Sequence, residues 1–218
     1  MTEPMSTHPD TSDMAAVHKV FRSSLASAPV LVESAAGDDD RRALITSYYT
    51  NVLAFLEVHH DGEEELLFPL LIERAPKHRH AVDLAIEQHH EVVGLLGAAK
   101  AATVAWATKG DSEEPELVNT LGALDKALSA HLDQEEANIV PLATEHVTVQ
   151  EWGMLPGHAM ANFKGDKIWL IMGLIRENFT PEQRAMMLEH MPPPARQMWE
   201  TMGEASFNDM IAEVRQTR

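Results

Sequence analysis

His59-His60-Asp61-Gly62-Glu63-Glu64-Glu65-Leu66-Leu67-Phe68-Pro69 is answered later in the chain by His131-Leu132-Asp133-Gln134-Glu135-Glu136-Ala137-Asn138-Ile139-Val140-Pro141. Each copy reads His-x-x-x-Glu-Glu, two variable positions, an apolar pair and Pro. Residues four apart share one face of a helix, so His59 with Glu63, and His131 with Glu135, each aim an imidazole and a carboxylate at one point. Two such pairs on facing helices make a metal site. The first copy sits in a helix expected from about Arg41 to Arg74, with Ile45, Tyr48, Val52, Phe55, His59, Glu63, Leu66 and Leu70 on one stripe. Gly62 and Pro69 oppose that helix by about 1 and about 3 kcal/mol relative to Ala, so something beyond propensity must hold the stretch.

Outward from this element the pattern stays helical. Upstream, Thr11 or Ser12 can cap a first helix whose stripe is Met14, His18, Phe21 and Leu25; Pro29 should kink or end it, and residues 35–40 read as an acidic turn. Downstream, a third helix from about Lys77 to Thr108 carries Val82, Ile86, His89, Val93 and Leu96. Residues 109–112 close it and cap a fourth, with Leu117, Leu121, Leu124, Leu128, His131 and Glu135 on one face, ending between Pro141 and Val147. Each half of the chain thus pairs a lone inward histidine with a His-x-x-x-Glu on the next helix. The expectation is an all-α fold: an up-down-up-down antiparallel four-helix bundle over residues 13–149, a flexible N-terminus over 1–12, and a C-terminal helical extension over 150–218 that packs on the bundle. Extension helices are expected at 165–177, 181–190 and 194–215, the second announced by Thr180-Pro181.

Composition limits the chemistry. The 218 residues are 44% hydrophobic, enough for a sizeable core, and 34 acidic against 17 basic residues give a formal charge of -17. That balance argues against nucleic acid. With no cysteine, disulfides, zinc-thiolate sites, iron-sulfur clusters and thiol catalysis are excluded, and any metal must be held by nitrogen and oxygen. The start of the chain lacks the basic and apolar regions of a signal peptide, and no apolar run is long enough to span a membrane. A soluble cytoplasmic protein is the expectation.

Four inward histidines and two inward carboxylates are hard to satisfy without cations. Zinc would be content with four of them; two octahedral ions bridged by carboxylates would use all six. The candidate set is His18, His59, Glu63, His89, His131 and Glu135, with two histidines on each ion of a di-iron or di-manganese pair and Glu63 and Glu135 as bridges. Either His89 or His90 could serve the third helix; the stripe favours His89. His60, turned about 100° from His59, is expected outside the ligand set, bonding a ligand or facing water. Glu64 and Glu136 could supply a further oxygen or a supporting bond, although exposed helix-face carboxylates are the commoner outcome. His78 and His80 are too far along their helix to join, His8, His146 and His190 are expected at the surface, and His158 could reach the mouth of the site if the extension folds over it.

His18, His59-x-x-x-Glu63, His89 and His131-x-x-x-Glu135, in this order and with Leu67-Phe68-Pro69 and Ile139-Val140-Pro141 behind them, resemble the hemerythrin-like (HHE cation-binding) proteins over roughly Met14 to Trp152. The closing Glu151-Trp152 and the proline- and tryptophan-bearing tail are similar to the actinobacterial branch. The resemblance implies two non-haem iron ions with an oxo or hydroxo bridge and carboxylate bridges. Oxygen-carrying members use five histidines, with His-x-x-x-His on the third helix; here Val93 and Gly94 stand four residues after His89 and His90. A four-histidine site is similar instead to iron-centre repair and nitric-oxide-related members. The expectation is therefore a protein that reacts with or senses hydrogen peroxide, nitric oxide or dioxygen at an open iron position, with reversible dioxygen binding or iron/oxygen sensing without turnover as the alternative. A small diatomic or peroxide ligand is the expected partner, and a protein partner or second copy could dock on the extension.

Overall fold

The structure, a computed structural model, describes residues 8–216, and every regular element among them is helical. The first rod of the bundle is α1 (Ser12–Ala26) with the short α2 (Ala28–Glu33). The second is α3 (Asp39–Gly62) and α4 (Phe68–Arg74), joined by a π-helical turn over Glu63–Leu67. The third is α5 (Arg79–Lys109), and the fourth is α6 (Glu114–Gln134) and α7 (Val140–His146), joined by a second π-helical turn over Glu135–Ile139. Contacts of α3 with α5, α5 with α6, and α1 with both α6 and α3 close the ring, giving the up-down-up-down bundle that the sequence pattern expects.

The inward stripes of α1 and α6 are buried at every expected position. Two other stripes run differently. On α5 the buried residue after His89 is Val92, while Val93 is 53% exposed, because the inward row follows a three-four-three spacing. On the second rod the buried positions beyond Glu63 are Leu67, Phe68 and Leu71, and Leu66 and Leu70 are only half-buried. The π turn is the cause: the Phe68 N–H bonds the Glu63 carbonyl five residues back, as Val140 does to Glu135, which inserts one residue and advances the stripe by one. Pro69 and Pro141 explain where these turns fall. A proline has no N–H and its ring crowds the carbonyl four residues back, so an unbroken α-helical ladder cannot pass through it, and a wider turn just ahead relieves the conflict.

At the start of α1, Thr11 makes no side-chain cap; its hydroxyl pairs with that of Thr144 at 2.8 Å, and Asp10 accepts the Ser12 N–H at 3.0 Å. Pro9 is also buried, so of the segment expected to be loose, residues 9–11 pack on the bundle, and residues 1–7 lie outside the described residues.

Helices in the extension begin earlier than the expected residue 165. α8 (Val149–Trp152) and α9 (Met154–Asn162) precede α10 (Ile168–Asn178), α11 (Pro181–His190), α12 (Pro193–Met198) and α13 (Glu204–Val214). Pro156 and Gly157 argue against a helix by propensity, yet Pro156 falls in the first turn of α9, where backbone N–H groups lack helical partners anyway. α9 lies on α3, α10 lies on α1 and α3, and α13 lies on α10. Gly173 permits the last contact, since a Cβ there would come within 2.2 Å of the Phe207 ring. Arg41, in the first turn of α3, donates to the carbonyls of Val214 and Gln216 at 2.9 Å, a cation at a helix C-terminus.

The apolar core is in two parts. One contains Phe21, Phe55, Val92 and Leu128 and continues into the extension; the other contains Met14, Leu67, Phe68, Val82, Ile139 and Trp152. Between them, one helical turn from each, runs a layer of histidines and glutamates. No described helix is long and apolar enough to cross a membrane.

Candidate metal centre

All four rods contribute to the layer. α1 supplies His18, the last turn of α3 supplies His59 and His60, the first π turn supplies Glu63, α5 supplies His89, the last turn of α6 supplies His131, and the second π turn supplies Glu135. Six of these seven are buried by at least 98%, and the side chain of His59 keeps 8% exposure. All six residues expected from the sequence therefore meet at one level of the bundle. His90 is exposed, which leaves His89 as the third-helix histidine.

His60 departs from the expectation. It does not face water or stand behind a ligand: it is 2% exposed, stacks on His89 with centroids 4.1 Å apart, and meets His131 edge-on at 5.2 Å. The inward histidines number five, not four. The inward arc of a bundle helix is wider than 100°, so consecutive histidines can both face the interior, His59 towards α1 and His60 towards α5.

The ligand-type atoms fall into two groups, each with its atoms within 4.8 Å of one another: His60, Glu63, His89 and His131 in the first, His18, His59, Glu63 and Glu135 in the second. Glu63 belongs to both. An even split of two histidines per ion is replaced by three imidazoles in one group and two in the other. Glu63 Oε1 lies 3.3 Å from His59 Nε2 and its Oε2 lies 3.5 Å from His89 Nε2. Glu135 Oε2 lies 3.4 Å from both His18 Nε2 and His131 Nε2. These separations suit atoms facing a common ion better than they suit hydrogen bonds. Neither carboxylate of Glu63 and Glu135 has a hydrogen-bond partner at either oxygen, and Nε2 of all five histidines is likewise buried without one. At about 1–3 kcal/mol for each buried unsatisfied group, the layer would cost on the order of 10 kcal/mol or more, comparable with the whole stability of a typical domain. Cations would remove that cost, and imidazole with carboxylate is a donor set that iron, manganese and zinc accept. The residues fit a two-ion centre.

The electrostatics point the same way. Burial lowers His59 to about 3, helped by the nearby charge of His18, and lowers His131 to about 4 against the opposing pull of Glu135. Burial, then the neighbouring His89, pushes His60 well below the usual imidazole range, and burial lowers His89 too. Four of the five rings are therefore neutral, the form that binds metal. Burial also opposes charge on His18, but contacts with Glu135 and Glu136 hold it above its ordinary value. Burial, then the Glu135 charge, raises Glu63 well above the carboxylate range. For Glu135 burial acts upwards, yet proximity to His18 wins and lowers it. Without cations, burial favours the protonated form of Glu63, while Glu135 leans on His18, the one imidazole held above its ordinary value.

Glu64 and Glu136 are exposed, as helix-face carboxylates should be, yet each also accepts a bond from an imidazole of the layer: His89 Nδ1 to Glu64 at 3.0 Å and His18 Nδ1 to Glu136 at 2.8 Å. His158, on α9, sits against Gly62, where a Cβ would meet its ring at 3.2 Å; it is in neither ligand group. His78, His80 and His190 are exposed.

With this geometry in view, comparison with known proteins is decisive at one level. The family described as hemerythrin HHE cation binding domain matches residues 10–143. The chain belongs to that family. No curated protein and no solved structure matches it. The hemerythrin match spans all seven residues of the layer and both π turns, and it ends before α8, so the family assignment covers the bundle and not the extension.

Proposed function

We propose that this hemerythrin-family protein holds two iron ions, one in each His/Glu group, and reacts with or senses hydrogen peroxide, nitric oxide or dioxygen. The observation that carries the reading is the buried layer itself: two four-residue groups sharing Glu63, with their inward atoms unpartnered. Each group offers four protein ligands, whereas an octahedral ion takes six, so positions remain for a small molecule. Bound iron would supply the redox chemistry; the protein supplies the rest. His59, the least buried of the seven, marks the side from which a small molecule would arrive. Phe21 and Phe55 pack around it, with ring centroids 5.2 and 6.4 Å from its own, and keep that approach apolar. Small uncharged oxidants suit such an approach. The division into a bundle over 13–149 and an extension over 150–218, a cytoplasmic setting, and an extension available to a partner or a second copy belong to the same reading. Iron-loaded protein should consume peroxide or nitric oxide rapidly, and Glu63→Ala or His131→Ala should abolish this; no turnover at full loading removes the enzymatic form.

One observation favours a second reading. With His60 inward, the imidazoles number five, the count that the family resemblance associates with oxygen carriage, so the argument for a four-histidine open site no longer counts against reversible dioxygen binding or sensing without turnover. An optical band that appears with air and disappears on its removal, through repeated cycles, would select this second reading.

A further inference from the structure

Consecutive glutamates in each π turn reach the same imidazole from opposite sides. In the second turn, Glu135 Oε2 lies 3.4 Å from His18 Nε2 while Glu136 Oε1 lies 2.8 Å from His18 Nδ1. In the first, Glu63 Oε2 lies 3.5 Å from His89 Nε2 while Glu64 Oε1 lies 3.0 Å from His89 Nδ1. The pairing crosses between the halves of the chain: the carboxylates of one repeat clamp the lone histidine of the other. The wider π turn allows it, because successive residues diverge less around its axis than in an α-helix. The arrangement is also selective. His131 Nδ1 and both nitrogens of His60 have no hydrogen-bond partner, so one histidine in each metal group has a charged acceptor behind it. Both acceptors are 42% exposed at the side chain, and Glu136 lines a surface cleft of about 370 Å³ with Pro9, Thr11, Ala15 and Thr144.

We propose that Glu64 and Glu136 are positioning residues, each dedicated to a different ion: Glu64 acts through His89 on the group of three imidazoles, and Glu136 acts through His18 on the group of two. Each carboxylate accepts the hydrogen bond of Nδ1–H, which leaves Nε2 as the ligand atom, fixes the ring plane, and makes the imidazole a stronger donor. As each serves one group, the two ions are retained independently. A role in folding alone would not divide in this way, since both residues sit at the surface and Arg22, which also lies 3.6 Å from Glu136, is outside the layer.

The inference rests on the two-ion reading, and the experiment separates the two. Iron-loaded wild type, Glu64→Gln, Glu136→Gln and the double variant are challenged with excess chelator, and iron release is followed in time alongside Mössbauer spectra. Wild type should release two ions in two phases. Glu64→Gln should speed one phase by about 10–100-fold and Glu136→Gln the other, each removing a different Mössbauer doublet first, with both phases fast in the double variant. The metal-free melting temperatures should agree. Unchanged release in both single variants, or acceleration of the same phase by both, overturns the proposal. A lowered metal-free melting temperature with both phases equally faster overturns it too, in favour of a structural role. Wild type that holds two ions but ignores peroxide and nitric oxide removes the functional reading and leaves this one standing; wild type that holds fewer than two removes both.

Discussion

The two repeats differ at one decisive position. The His59 stretch and the His131 stretch share the His-x-x-x-Glu-Glu pattern, a π turn that begins at the first glutamate, a proline that explains that turn, and a second glutamate that clamps a histidine of the other half. After His59 comes His60; after His131 comes Leu132, fully buried in the apolar core. That exchange turns a symmetric pair of two-histidine groups into groups of three and two. A second asymmetry lies in the carboxylates, since Glu63 belongs to both groups and Glu135 to one. A repeated element can thus keep its backbone device intact while a single side chain makes its two halves chemically unequal.

The shared carboxylate gives the largest test of this inequality. Glu63→Ala should abolish stable loading of both ions, whereas Glu135→Ala should leave about one ion per chain, read by metal analysis after desalting. Equal losses would restore the symmetric picture. Next comes the exchange itself. His60→Leu, which gives the first repeat the residue of the second, should weaken the three-imidazole ion and leave the other. Leu132→His should instead destabilise the metal-free protein by about 2–4 kcal/mol in denaturant titrations, because it buries a polar ring among apolar neighbours.

The π-turn register is read from the difference between two neighbouring leucines. Leu67→Ala should cost about 2–5 kcal/mol and Leu66→Ala less than half of that; the reverse order would place the stripe on an uninterrupted α-helix. Acidity acts on the layer as well. Burial raises Glu63, so a cation must displace its proton, and iron loading should begin to fall with falling pH above the ordinary carboxylate range, while His59 and His131, at about 3 and about 4, contribute only at lower pH. The smallest effect lies outside both repeats. Arg74, then the Thr148 cap, lowers Glu151 to about 2. A depressed carboxylate stabilises above its unfolded value and loses that contribution as pH falls through its folded one. Glu151→Gln should therefore lower the melting temperature by only about 2 °C at pH 7, and by progressively less below about pH 4.

Much of this was legible before the structure. Helical spacing alone brings His18, His59, Glu63, His89, His131 and Glu135 to one level, because every one of them lies on an apolar stripe whose direction is otherwise clear. His60 was not legible by the same rule: a 100° turn from His59 reads as leaving the core only if the inward arc is narrow, and a bundle helix between two neighbours has a wide one. The slip from Leu66 and Leu70 to Leu67 and Leu71 carried a signal that periodicity ignores, a proline six residues after the glutamate in both copies. α9 is hidden from local propensity because Pro156 and Gly157 both disfavour a helix interior, and only their place near its start makes them tolerable. The partnership of Glu64 and Glu136 with histidines of the opposite repeat depends on how the rods face one another, which no local pattern contains.

Iron analysis with Mössbauer spectroscopy on protein expressed in iron-supplemented medium tests the central claim most directly. Two irons per chain in two inequivalent doublets of equal area are expected from groups of three and two imidazoles. Fewer than about one iron per chain would contradict the account, leaving the buried layer of histidines and glutamates without the cations proposed for it.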